Sequence, residues 1–178
     1  MENKEHLTKD GLNKVLSLKS ALNLGLTDKL QPNFPNVESI SIPVIELNNS
    51  LDPFWVSGFS EGDASFYITI SSKTNQVRIF FETRLNIKDI SVLNKMREFF
   101  GVGIVNSLPE ERSAKLVVTR NKDLIDVIVP HFNQYKLEGN KQKNFEIWKD
   151  IVSLVNSKDH LTPEGLAKIK ELRDKLNK

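Results

Sequence analysis

Two stretches of the chain alternate with a period of two. In "ASFYITI", Phe66, Ile68 and Ile70 fall on one side, and Ser65, Tyr67 and Thr69 on the other, with Ser71 continuing the polar side. After the turn-like "SSKTNQ", the stretch "VRIFFETRLNI" sets Val77, Ile79, Phe81, Thr83 and Leu85 against Arg78, Phe80, Glu82 and Arg84. Successive side chains of a strand point to opposite faces, so the pair predicts a hairpin with one apolar side. "VGIVNSL" and "AKLVVTR" flank the charged tip "PEERS" and predict a second hairpin.

Around these hairpins the apolar spacing lengthens to that of helices. Leu51 to Gly62 predicts a helix, with Asp52 as N-cap and Pro53 in the first turn, where its missing N–H is harmless. "KDISVLNKMREFFG" predicts an amphipathic helix ending at Gly101. "NKDLIDVIVPHF" reads as a short helix broken at Pro130, and "KQKNFEIWKDIVSLV" as a longer one. The order is helix, hairpin, helix, hairpin, helices. It predicts an α+β fold: a four-stranded antiparallel sheet with helices on its apolar face.

The ends of the chain repeat each other. "KEHLTKDGLNKVLSLKSALNL" and "KDHLTPEGLAKIKELRDKLNK" match at ten of 21 positions at an offset of 154. Both predict helices, with Thr8 and Thr162 as N-caps. Leu12, Val15, Leu18 and Leu22 form one apolar stripe, and Leu166, Ile169, Leu172 and Leu176 its twin. Such an offset is too long for a solenoid. It points to a parent of two similar units, of which residues 1–26 resemble the last helix of a preceding one. Residues 27–50, with Pro32, Pro35 and Pro43, read as a linker, and 51–178 as a whole unit.

Composition narrows the function classes. The 178 residues suffice for a domain with its own core plus an appendage. Net charge is +2, so any nucleic-acid surface must be a local patch. With no cysteine there is neither a disulfide nor a thiolate zinc site. No apolar run approaches the roughly 18 residues of a membrane span. The opening "MENKEHLTKDGL" is unlike a signal or transit peptide.

The outward strand positions carry the first candidate chemistry. Tyr67, Thr69, Ser71, Arg78, Phe80, Glu82, Arg84, Asn106, Lys115 and Val117 share the polar face. Water alone can cover such a face. Its mixture of cations, amide, hydroxyls and aromatics also suits the base edges and phosphates of a DNA groove. Lys73 and Arg112, near the hairpin tips, suit phosphates. The second candidate is "WVSGFSEGDASF". Ser57, Gly58 and Gly62, flanked by Trp55 and Phe59, could form a face for close helix packing. Asp63 falls at the helix C-terminus, where the dipole disfavours a carboxylate. A divalent cation is the natural compensating partner, and an exposed carboxylate in a turn is the simpler alternative.

"VSGFSEGDA", Val56 to Ala64, resembles the nonapeptide motif of the LAGLIDADG homing endonucleases, and Trp55, Ser65 and Phe66 fit its context. The order of elements fits too. "HLTPEGLAKIKELRDKLN" is similar to the closing segment of the family's fungal mitochondrial single-chain branch. "KEHLTKDGLNKVLSLKSALNLGLTDKL" is similar to that segment plus the linker joining its two halves. The resemblance implies two motif helices packed across a pseudo-symmetric interface. Each would carry an acid that binds Mg²⁺ over the scissile phosphates. It further implies a sheet saddle in the major groove of double-stranded DNA and a double-strand break in a long target. By it, Asp63 is the catalytic metal ligand, the Gly62 carbonyl assists, and Glu61 is structural. The motif's final glycine is replaced by Ala64. "KLEGNKQKNFEIW" resembles the stretch supplying a catalytic lysine, with Lys141 first choice and Lys143 second. One motif is half an active site. The second half comes from a homodimer partner or a complementary chain; binding of intron RNA as a maturase, or DNA binding without cleavage, are the alternatives. The branch implies a mitochondrial protein.

Overall fold

The computed structural model describes residues 4–22, 25–38, 40 and 50–176. Residues 41–49, with most of the second half of the expected linker, lie outside them. The chain divides into two units, residues 1–46 and 47–178.

In the first unit a 3₁₀ turn, Glu5–Leu7, leads into α1, Lys9–Ser20. Thr8 caps α1, its Oγ1 accepting from the Gly11 N–H at 3.1 Å. The second unit closes on the same device. The turn Asp159–Leu161 precedes α7, Pro163–Arg173, and Thr162 Oγ1 accepts from the Gly165 N–H at 3.0 Å. Lys4 and Lys158 open the two turns in the left-handed region, at φ 53° and 67°. The shared glycine has a steric cause. A Cβ at Gly11 or Gly165 would overlap the carbonyl oxygen of Glu5 or Asp159. The expected stripes fare differently. Of the closing stripe, Ile169 in α7 and Leu176 just beyond it are buried, and Leu166 and Leu172 half-buried. Of the opening stripe, Leu12 and Leu18 in α1 and Leu22 just beyond it are exposed and Val15 is half-buried, while Leu16, one step from the stripe, is the buried residue.

The second unit is built on the expected sheet. The motif helix α2, Pro53–Asp63, is capped by Asp52, whose Oδ1 accepts from the N–H groups of Phe54 and Trp55. Strands β1 (Ala64–Ile70) and β2 (Val77–Asn86) pair antiparallel. Helix α3, Ile90–Phe100, ends on Gly101 at φ 68°, and β3 (Ile104–Leu108) and β4 (Ser113–Val118) follow. The spatial order is β1-β2-β4-β3, so both hairpins contribute a central strand. Phe66, Ile68, Ile79, Phe81, Leu116 and Val118 are buried on the inner face. Over them lie Leu93 and Met96 of α3, Phe132, and Phe145 and Trp148 of α6, Lys141–Asn156.

Pro130 does not break its helix. Asn121–Asp123 (α4), a π-helical segment Leu124–Ile128, and Val129–Gln134 (α5) follow without interruption. Proline lacks an N–H and crowds the carbonyl four residues back. The wider π turn ahead of it, where the Val129 N–H donates to the Leu124 carbonyl, accommodates the ring. Burial of Leu124, Ile128 and Phe132 holds the whole run against the core.

Candidate active site and nucleic-acid interface

Two helix ends meet at the base of α2. Asp63 is the last helical residue and its side chain is exposed. Lys141 opens α6, and its Nζ donates to the carbonyls of Ser60 at 3.0 Å and Gly62 at 3.2 Å. In return, Glu61 Oε1 accepts from the Lys141 backbone N–H at 3.3 Å. A Cβ at Gly139 would overlap that carboxylate, so glycine is what lets Glu61 reach the α6 N-terminus. The clamp is reciprocal. An ammonium caps the negative end of one helix, and a carboxylate caps the positive end of the other. The compensation sought for Asp63 therefore comes partly from within the chain. Burial pulls the Lys141 pKa below the usual lysine range, while the charges of Glu61 and Asp63 oppose the shift. Lys143 is exposed on the same first turn. Ala64 sits at φ −88° in extended backbone, so replacing glycine there costs no strain.

The face of α2 differs from expectation at one residue. Ser57 is buried and faces its own domain. Its Oγ donates to the Tyr135 carbonyl at 2.7 Å and lies 3.3 Å from His131 Nε2. It is therefore not part of the free face. Gly58 and Gly62 are: they are exposed, and a Cβ at either would meet nothing within 4 Å. Trp55 is 43% exposed and stacks on half-buried Phe59 at 5.0 Å. Phe54, missed by the sequence reading, is 69% exposed and set edge-on to Tyr135. Its spacing, four and eight residues before the two glycines, was the available signal.

The serine's one proton goes to the Tyr135 carbonyl, so Ser57 can only accept from His131. This fixes the neutral Nε2–H tautomer. Burial pushes the His131 pKa down to about 4 from 6.5. A group that protonates less readily when folded contributes fully above its unfolded pKa. Stability should therefore fall by about 3 kcal/mol as pH drops from 6.5 through about 4. Urea unfolding across that window tests this, and His131→Phe should flatten the limb.

The outward sheet face holds every residue expected on the strands except Ser71, which lies just past the end of β1. Tyr67 pairs with Phe80, Thr69 with Arg78, and Arg84 and Asn106 with Lys115. The Tyr67 and Phe80 rings stack at 4.7 Å, 4° from parallel. Tyr67 OH donates to Glu82 Oε2 at 3.0 Å, and Lys115 Nζ donates to the same oxygen at 3.3 Å. Burial, then the bond to Glu82, raises the Tyr67 pKa to about 12. Arg84 is bound to Glu111 at 2.7 Å. Val117 is half-buried beside Glu82 in the register. Ser71 accepts from the Thr74 N–H and so helps close the turn, while Lys73 and Arg112 are exposed at the tips. Ile104, opposite Val117 and 66% exposed, joins this face; the sequence reading did not include it.

The LAGLIDADG endonuclease family model matches residues 56–152. The probable intron-encoded endonuclease 2 of Neurospora crassa is 35% identical over 187 residues, covering 99% of this chain and 40% of the relative. The probable intron-encoded endonuclease 3 of the same fungus is 33% identical, covering 95% and 33%. Among solved structures, the I-LtrWI LAGLIDADG homing endonuclease bound to target DNA superposes with a TM-score of 0.83 at 39% identity. That match covers 99% of this chain and 60% of the neighbour. I-SmaMI bound to uncleaved DNA in the presence of calcium ions gives 0.82 at 35% identity, over 100% of this chain and 62% of that one. The chain thus spans 40% or less of these two Neurospora relatives. The motif helix, the two hairpins and the matches across them agree: the chain belongs to the LAGLIDADG endonuclease family.

Proposed function

We propose that the chain is one motif-bearing half of a metal-dependent endonuclease that makes a double-strand break in a long DNA target. The carrying observation is what meets at the base of α2. The exposed Asp63 carboxylate, the open Gly58 and Gly62 face and the Lys141 ammonium come together there. Strand β1 begins at the next residue, so the carboxylate is continuous with the polar sheet face.

Among the described residues no three His, Cys, Asp or Glu side chains gather to hold a metal ion. Asp63, with the Gly62 carbonyl, fits one side of a Mg²⁺ shell; the other carboxylate must come from a second motif helix. The two glycines let such a helix approach closely, with Trp55, Phe59 and Phe54 flanking the contact. Asp63 and the Gly62 carbonyl would hold such a cation, which would supply charge neutralisation at the scissile phosphate and an acidified water. Lys141, fixed by two carbonyls, offsets charge beside the reacting phosphate. The sheet face would lie in the major groove, which admits a β-ribbon. Lys73, Arg78 and Arg112 would meet phosphates, which set affinity and register. Fungal intron-encoded relatives support a mitochondrial origin.

The test is to select duplexes from random sequence with the full chain and then incubate the winners on supercoiled plasmid. With Mg²⁺, linear product is expected once two motif-bearing halves occupy the site, and EDTA should abolish it while binding persists. A symmetric selected site carrying two copies of the chain identifies a homodimer. One copy on an asymmetric half-site, with cleavage only after a second motif-bearing half is added, identifies a complementary half. Selection of no sequence refutes the reading.

A further inference from the structure

The outward face of the sheet carries one acid at its middle, largely withdrawn from water. The Glu82 side chain is 14% exposed. Its Oε2 accepts from Tyr67 and Lys115, whereas its Oε1 faces Arg84 Nε at 3.8 Å, beyond hydrogen-bond length. Arg84 is turned aside to Glu111. Two of the face's cations thus point at acids, Lys115 at Glu82 and Arg84 at Glu111 in the turn between β3 and β4. Glu82 pairs with Ser65 on one side and Val117 on the other, so only short side chains stand directly opposite it in the register. A carboxylate here repels phosphate and weakens attraction to DNA of any sequence, so it is poorly explained as an affinity device.

We propose that Glu82 is a specificity-determining residue of this face: its Oε1 accepts a hydrogen bond from the N4 amino group of a cytosine in the major groove, while Oε2 fixes Tyr67 and Lys115. The inference rests on the reading of the face as the DNA interface. An ionised carboxylate only accepts hydrogen bonds. Guanine O6 and N7 and thymine O4 are acceptors, and would meet it lone pair to lone pair. Adenine offers an amino group beside the N7 acceptor, but cytosine offers the donor alone. Tyr67 has committed its one proton to Glu82, so it offers no donor to guanine or thymine at this point of the face.

The experiment selects duplexes from a random pool with the full-length wild type, Glu82→Gln and Glu82→Ala, after equal melting temperatures have shown that all three are folded. Wild type should fix one position as cytosine. Replacing that cytosine by thymine in the winning duplex should weaken wild-type binding by about tenfold or more. Glu82→Ala should bind both duplexes equally. Glu82→Gln should move the preference towards adenine, whose N6 and N7 a carboxamide matches. On a random-sequence duplex, either variant should show a steeper plot of log K against log salt, by a slope of about 0.9 if the freed Lys115 gains one phosphate. If the three proteins select the same sequence with the same salt slope, Glu82 is a structural surface acid and the proposal falls. If wild type selects nothing, the DNA reading falls with it.

Discussion

Asp63→Asn is expected to lower cleavage on the order of 10³-fold or more while fold and DNA binding persist. Asparagine keeps the shape of the side chain and one carbonyl-type oxygen, but not the charge. The charge is what a divalent cation needs in a half-shell with one carboxylate. The fold has little stake in it, because Asp63 is exposed at a helix end where a negative charge is mildly unfavourable. Glu61→Gln is the informative companion, since Glu61 is half-buried and accepts from the α6 N-terminus. It should cost stability, and it should cost cleavage only as far as Lys141 shifts. Asp63 is also one of the charges that hold the Lys141 pKa up against burial, so its loss should lower that pKa further in the metal-free protein. Cleavage retained at wild-type rate would refute the assignment.

How much of this was legible in the sequence depends on which periodicity carried the information. Strand parity is a two-way choice, and the apolar residues of β1 and β2 settle it without help from tertiary structure. That is why the outward face could be read residue by residue. The threonine caps were legible as well, because Thr8 and Thr162 bond to an N–H only three residues on. The face of α2 was less legible. Neighbours on a helix differ by about 100° in direction, and serine and glycine carry too little apolar surface to show which side is buried. So Ser57, drawn inward by Tyr135 and His131, was indistinguishable from Gly58. The clamp was visible only in part. "KLEGNKQKNFEIW" pointed to Lys141 by likeness alone, and the role of Gly139 depends on a carboxylate 78 positions earlier. Pro130 misled because the rule against proline assumes a regular α turn, and a π turn was used instead.

Phe66→Ala should destabilise the protein by about 3–5 kcal/mol, visible as a lower urea midpoint at unchanged slope. Phe66 is 2% exposed and sits where β1 meets the helices. Its ring lies 5.3 Å from Phe81 and Phe132, 5.4 Å from Phe145 and 5.2 Å from Trp148. Removing it leaves a cavity walled by four aromatic rings, which cannot collapse without moving two helices. Phe80→Ala removes the same group from the other face of the same sheet. Phe80 is half-buried, and its ring stacks on Tyr67 rather than on the core. Its loss should cost about 1 kcal/mol, the range of a cross-strand pair, and should show mainly in DNA binding. The contrast also reaches the active site. Phe66 ties β1, which starts one residue after Asp63, to α6, which starts with Lys141. A Phe66→Ala protein that remains folded should therefore lose cleavage more than binding, whereas Phe80→Ala should do the reverse. Equal midpoints for the two variants would mean that the faces have been assigned wrongly.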